Sequence, residues 1–269
     1  MRTSLVISLV LLLASLAHAV DVTSCGQEVR DGDVGVLQAD LVCPTDLVGP
    51  PYVGVQLDQD AVLQMNGHSI TGQQLGVFCF RDCTIVGPGE ITGATSQAIG
   101  GGSGIHVTAS DLDIHDNGGI ADVAGSRLTV TNVVARRNGY GIRAQQLRAT
   151  NLSIADNTGD AILVQKRFVG SDVTITGGGE GGVTALSGVR ATRLAITGTP
   201  GVGLFSRGSV VLRDSSVTGS VYLGLDVLTR RLPRLLGTST CGGSARLLPD
   251  PGNPGGFVIG PSWGVCAND

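Results

Sequence analysis

A chain of 269 residues with a formal net charge of −4, 42 glycines and aromatics at 3% is composed for many short strands joined by tight turns, and poorly for helices. Loss of Arg2 with the leader described below brings the charge to −5, a balance that excludes nucleic acid as an expected partner. About 250 remaining residues with no second compositional block fit one elongated repeat domain better than two compact ones.

Residues 1–19 read as an export signal. Arg2 supplies the positive start, 5–16 is an apolar run too short to span a bilayer, and Ala17-His18-Ala19 is a small-x-small cleavage site. The mature chain is expected to begin at Val20. No cysteine follows the cut directly and no later run approaches the roughly 20 apolar residues of a membrane helix, so a soluble, secreted or periplasmic protein with no membrane span is predicted.

Residues 20–60 are expected to form an N-terminal cap and first strand, with Cys25 and Cys43 bracketing the strand-like stretch 36–42. Six cysteines in an exported chain read as disulfides, and they fall into three local groups: Cys25 with Cys43, Cys79 with Cys83, Cys241 with Cys266. The middle group tests geometry, because four extended residues span roughly 13 Å and a bridge needs Cα atoms within about 7 Å. Its formation requires a turn at Phe80-Arg81-Asp82. No four-ligand Cys/His spacing offers a metal alternative.

Residues 61–228 carry a repeat. Between Gly87 and Gly104 the period is stretched, which predicts that 94–102 loops out as an insertion. A small residue followed by an aliphatic one then recurs at Gly104-Ile105, Gly119-Ile120, Gly141-Ile142, Ala161-Ile162, Gly182-Val183, Gly203-Leu204 and Gly224-Leu225, the last five steps being 22, 20, 21, 21 and 21 residues, so its glycines are expected to turn the chain and its Ile, Val and Leu to stack as one interior column. A turn column, Asp111, Asn132, Asn151, Asp172, Arg193 and Asp214, keeps nearly the same step. Alternating apolar positions flank it: Val107, Leu128, Leu147, Phe168, Val189 and Val210 four residues before, and Ile114, Ala135, Ile154, Ile175, Ile196 and Val217 three after. Six residues after the turn, Asn117, Asn138 and Asn157 are placed to form a hydrogen-bonded ladder.

A unit of about 21 residues cannot bury its own inward face, so units must stack as the coils of a solenoid. At about 4.8 Å per coil, roughly eight coils make a rod roughly 40 Å long. The predicted fold is therefore all-β: a single-stranded parallel β-helix (solenoid) of roughly eight coils with disulfide-stapled N- and C-terminal caps, its right hand being what the resemblance described next implies. Residues 229–269, with four of the ten prolines between Pro249 and Pro261 and the sole Trp263, are expected to be a capping loop over the last coil.

The opening Ala39-Asp40-Leu41-Val42-Cys43, the phrase from Val62 through Asn66-Gly67-His68 to Gly72, and the T-N and D-N turn coils that follow resemble the right-handed parallel β-helix repeat proteins of the pectin-lyase-like superfamily. The resemblance covers about residues 25–227. It implies a right-handed coil with a capped N-terminal end, and it implies little about activity, since the superfamily holds polysaccharide lyases, hydrolases, adhesins and proteins of no known role.

Function must come from outward-facing residues, and the densest set surrounds Ile114. Asp111, Asp113 and His115 project outward with Asp116 at the turn, and the next coil lays Arg136 and Arg137 over them. In a lyase reading Asp111 and Asp113 hold metal or substrate, Arg136 or His115 removes a proton, and Asp116, Arg137 and Arg143 contact substrate, with Ca2+ as the cation and no cofactor otherwise. The same residues also read as turn chemistry and an alternating-sign stack of Asp116, Arg137 and Asp156. Asn-Thr-Asp, Asp-Asp, Gly-His-Gly and Arg-Ile-Lys motifs of the familiar glycan-cleaving families are missing. The favoured expectation is a non-enzymatic structural or surface-interaction protein; the alternative is a protein that binds or cleaves a polysaccharide on its lateral face. An acidic polysaccharide or a cell-envelope component is the expected partner.

Overall fold

The computed structural model describes residues 18–44 and 52–269, so the export signal read at 1–19 lies outside the described residues save for its last two positions. The chain winds as a parallel β-solenoid of about nine turns, close to the roughly eight expected. One coil shows the plan. Its first strand is 162–164, its second 167–171 and its third 173–176, after which 177–182 return to the next first strand. Each strand pairs in parallel with its equivalents in the coils on either side, giving three sheets around one core.

Two left-handed positions bend each coil. The bend between second and third strands is at Asp111, Asn132, Asn151, Asp172, Arg193 and Asp214, all with φ between 50° and 57°. The bend after the third strand is at Gly93, Asp116, Arg137, Asp156, Gly177, Gly198 and Gly219. Apart from Arg137 and Arg193, these are Asp, Asn and Gly, the residues that enter this region most readily.

The apolar columns predicted from the repeat are the core. Val107, Leu128, Leu147, Phe168, Val189 and Val210 stack in register, as do Ile114, Ala135, Ile154, Ile175, Ile196 and Val217, and all are buried. Asn117, Asn138 and Asn157 form the expected ladder at a buried corner. Asn138 Oδ1 accepts from the Asn117 amide at 3.1 Å and from its Nδ2 at 3.0 Å, and Asn157 Oδ1 accepts from the Asn138 amide at 2.9 Å.

Three expectations need correction. Residues 94–102 are no insertion: Gln97–Gly101 is a first-sheet strand, with Ile99 between Val77 and Ala121. Gly76 permits this, since a Cβ there would lie 2.6 Å from the Ala98 carbonyl. The small-aliphatic phrase also slips. Ile142, Ile162, Val183 and Leu204 share a column, but its neighbours are Ala121 and Val227 rather than Ile120 and Leu225. The glycines of the phrase at 141 and 182 do not turn the chain; they let adjacent coils approach, and a Cβ on Gly141 would overlap the Ala161 carbonyl.

The three disulfides are Cys25–Cys43, Cys79–Cys83 and Cys241–Cys266, with Cα separations of 5.7, 5.9 and 4.9 Å, and the chain bends at 80–82 as the middle bridge demands. Strands Gln27–Val29, Val34–Leu37 and Leu41–Cys43 already pair in coil register with the strands that follow. In the tail, Ser244–Pro249 extends the first sheet and pairs antiparallel with Phe257–Ile259. That hairpin lies against the outside of the rod as well as its end, because Leu228, Ala245 and Leu247 form a satellite apolar cluster with Val202, Phe205, Leu225 and Phe257.

Candidate functional site

The third sheet gathers six of the seven residues singled out in the sequence. Register places Asp113 between Glu90 and Val134, and His115 between Thr92 and Arg136. Each charged group is met within the chain. Arg136 Nη2 donates to Asp113 Oδ2 at 2.7 Å, and Arg137 donates to both oxygens of Asp116 at 2.9 and 2.7 Å. His115 Nδ1 is 2.7 Å from Asp116 Oδ2, while its Nε2 contacts Glu90 Oε1. Asp111 accepts from Asn132 Nδ2 at 2.8 Å. The hydrogen bonds of Arg137, then that of His115, hold the Asp116 carboxyl well below the usual range.

This arrangement braces coils more readily than it moves protons. Both ring nitrogens of His115 are taken up by carboxylates of the chain, Asp116 at one and Glu90 at the other, so neither faces an open site where a substrate proton would be removed. Arg136 is committed to Asp113. Asp113 Oδ1 is buried without a partner, which is one unsatisfied atom in an otherwise closed network. Among the described residues no group of three or more His, Cys, Asp or Glu side chains is placed to hold a metal ion. Glu90, 25 residues before His115, had no sequence signal, because it lies on the stretched coil.

Arg143 is elsewhere. It projects from the first sheet, 3.6 Å from Asp122 and 5.6 Å from the centre of the Tyr140 ring. On the second sheet His106 lies over Arg127, with Nε2 2.9 Å from Thr129 Oγ1.

The second sheet carries a different chemistry. Its outward positions run in three columns from coil to coil. One reads His106, Arg127, Gln146, Arg167, Gly188, Ser209; the next Thr108, Thr129, Arg148, Val169, Arg190, Val211, Arg234; the third Ser110, Thr131, Thr150, Ser171, Thr192, Arg213. Arg127, Arg148, Arg167, Arg190, Arg213 and Arg234 are thus supplied one per coil, and all six are exposed. Among the described residues none of them forms an ion pair. No acidic side chain occupies these outward positions between His106 and Arg213.

The columns explain how six like charges coexist. Consecutive arginines never share a column, so those in the same column stand two coils apart, about 10 Å. The aspartates at the bend bordering this sheet are occupied. Asp172 takes two hydrogen bonds from Arg193 and one from Ser171, which hold its carboxyl down at about 2, and Asp214 accepts from the Thr238 amide at 3.0 Å. Shallow hollows follow the stripe: one of about 130 Å³ between His106 and Arg148, one of about 370 Å³ between Arg167 and Arg190, and one of about 330 Å³ from Arg190 to Arg234. The last two share Arg190 and Val211 and form one trough. Alongside the stripe Ser110, Thr131, Thr150, Ser171 and Thr192 offer hydroxyls in one column.

The sequence did contain a signal for this stripe. The six arginines recur at steps of 21, 19, 23, 23 and 21 residues, a near-period hidden by the run at Arg230, Arg231 and Arg234.

Compared with protein-family models, residues 53–196, more than half of the chain, match the model described as right handed beta helix region. No curated protein and no solved structure gave a match.

Proposed function

This chain belongs to the family of right-handed β-helix proteins, and on that premise we propose that it is an exported binding protein whose second sheet holds an extended anionic polymer, an acidic polysaccharide lying along the rod. The observation that carries the reading is the stripe of six arginines without carboxylate partners. Unpaired like charges in neighbouring coils repel one another, and a bound polyanion converts that repulsion into attraction. Arginine's planar fork suits carboxylates and sulfates, and the adjoining hydroxyl column suits sugar hydroxyls. Nucleic acid fits less well, because among the described residues no aromatic side chain occupies the outward columns of this sheet to stack on bases.

A binding role without turnover is favoured by the third sheet, where Asp111, Asp113, His115 and Arg136 are all engaged with neighbours. The reading calls for no cofactor. Three disulfides, and the fact that no helix among the described residues is long and apolar enough to cross a membrane, are compatible with an extracellular location.

Affinity electrophoresis through polygalacturonate, alginate and dextran tests the proposal. Retardation by the two uronates that fades with added salt, with none by dextran, is expected. No retardation by either uronate at low salt, or equal retardation by dextran, overturns it. A parallel assay for unsaturated uronate products, with and without calcium, is expected to stay at background, and turnover lost in Asp113→Ala would restore the lyase alternative.

A further inference from the structure

A second group of side chains lies apart from both the arginine stripe and the third-sheet cluster. At the edge of the first sheet, the return turns leave a hollow of about 260 Å³ lined by Tyr140, Arg143, Gly159, Asp160, Leu163 and Glu180. Tyr140 and Leu163 supply ring and aliphatic walls. Asp160 is half-buried, and among the described residues neither its carboxylate nor that of Glu180 accepts a hydrogen bond or meets a cation. Arg143 also lines the hollow, but its guanidinium leans across the Tyr140 ring and pairs with Asp122 in the preceding coil rather than with Asp160 or Glu180.

The local sequence keeps this space open. Glu180 is the only residue with a side chain between Gly177 and Gly182. A Cβ on Gly181 would lie 2.8 Å from Asp160 Oδ1, so the turn passes the carboxylate without covering it. Burial, and then the charge of Glu180, push the Asp160 carboxyl above its ordinary range, which is the expected state of an acid with a like neighbour and no counter-ion.

A cation entering the hollow removes both penalties. A hard metal ion is a poor match, since it wants six or more oxygens and two carboxylates beside an aromatic ring do not provide them. An organic ammonium suits these walls: two carboxylates for the charge, and the Tyr140 ring and Leu163 for carbon surface. We infer that this hollow binds a protonated amine borne on a compact ring, with Asp160 and Glu180 holding the ammonium and Tyr140 and Leu163 the ring. The inference stands independently of the arginine stripe.

Glucosamine and N-acetylglucosamine are a matched pair of probes, alike in ring and differing in charge. Titration of the full chain at neutral pH, followed through the amide resonances of 159–163 and 177–182, is expected to show saturable shifts with glucosamine and none with the acetylated sugar. Asp160→Asn and Glu180→Gln should each weaken glucosamine binding by about tenfold, the loss of one charge-assisted hydrogen bond. Glu180 sits exposed on a glycine turn, so its variant keeps the fold if Asp160→Asn does not. No shift with glucosamine, equal shifts with both sugars, or binding unchanged in Glu180→Gln overturns the inference.

Discussion

Arg137 lies directly over Asp116, its guanidinium donating to both carboxylate oxygens at 2.9 and 2.7 Å, while both residues hold left-handed backbone at φ 54° and 56°. In the coils that follow, the same bend is made by Asp156 and then by Gly177, Gly198 and Gly219. An exposed ion pair contributes little, whereas a left-handed arginine is intrinsically unfavourable. Arg137→Gly is therefore expected to leave the melting temperature unchanged or raised, and Arg137→Val, β-branched in the same bend, to lower it. Thermal unfolding of the two variants beside the parent checks the sign of each.

The asparagine ladder is a stronger brace because it is buried. Asn138 satisfies the Asn117 amide through Oδ1 and the carbonyls of Ile114 and Arg136 through Nδ2. Asn138→Ala strands the Asn117 amide and takes the side-chain donor from both carbonyls, of which Arg136 keeps the Asp116 amide, and should cost about 2–3 kcal/mol in urea unfolding, by the usual penalty of about 1–3 kcal/mol for a buried polar group left unpaired. Asn157→Ala should cost visibly less, since its Nδ2 has no acceptor to lose.

Phe168 is fully buried in a column otherwise made of Val and Leu, and Gly170 makes the room for it, because a Cβ there would lie 2.6 Å from Phe168 Cζ. Phe168→Ala should cost about 3–5 kcal/mol through the cavity it leaves. Gly170→Ala alone should cost about 1–3 kcal/mol from overpacking. In a Phe168→Leu background the glycine substitution should become nearly neutral, and a double-mutant cycle reads that coupling directly.

Acid is expected to release the tail before it unwinds the rod. Burial disfavours the charged Asp269 carboxylate, but the Ser244 hydroxyl and the amides of Cys266, Ser244 and Val265 outweigh it and hold the carboxyl down at about 2. A carboxyl depressed in the folded state adds stability above its unfolded value near 4 and loses it as the pH falls toward 2. Trp263, whose amide donates to the Ser244 hydroxyl and whose ring carries Arg246 at 4.6 Å, reports on the same segment. Its fluorescence should change between about pH 4 and 2 in the parent, and the step should vanish in Asp269→Asn.

Within the arginine stripe the positions are unequal. Arg190 lines both halves of the trough, whereas Arg127 lines only the separate hollow at its other end. Arg190→Glu should weaken uronate binding more than Arg127→Glu does, and both should flatten the salt dependence. Affinity electrophoresis at several salt concentrations distinguishes the two.

The core columns, the left-handed bends and the asparagine ladder were legible in the sequence because each depends on spacing within one coil or a step of about one period. Asp111, Asn132 and Asn151 advertise their bend by residue type, and Val107 through Val210 advertise the core by alternation. The three cysteine pairs were legible for the same local reason.

Lateral position on the rod is another matter. It depends on the accumulated lengths of the return loops, and a shift of one residue turns a side chain from inside to outside. That is why Ile120 left the column assigned to it, why 94–102 proved to be an ordinary coil, and why Arg127, Arg148 and Arg167, unremarkable one at a time, form a stripe. The sequence by itself determined a parallel solenoid with its interior, its corners and its disulfides, since stacking like on like is enforced by a repeat that must bury one face. Only the tertiary structure decided which polar residues meet: it paired Asp113 with Arg136 and His115 with Asp116 and Glu90, and among the described residues left six arginines without an ion pair, because which side chains face each other across coils is set by register and not by the period.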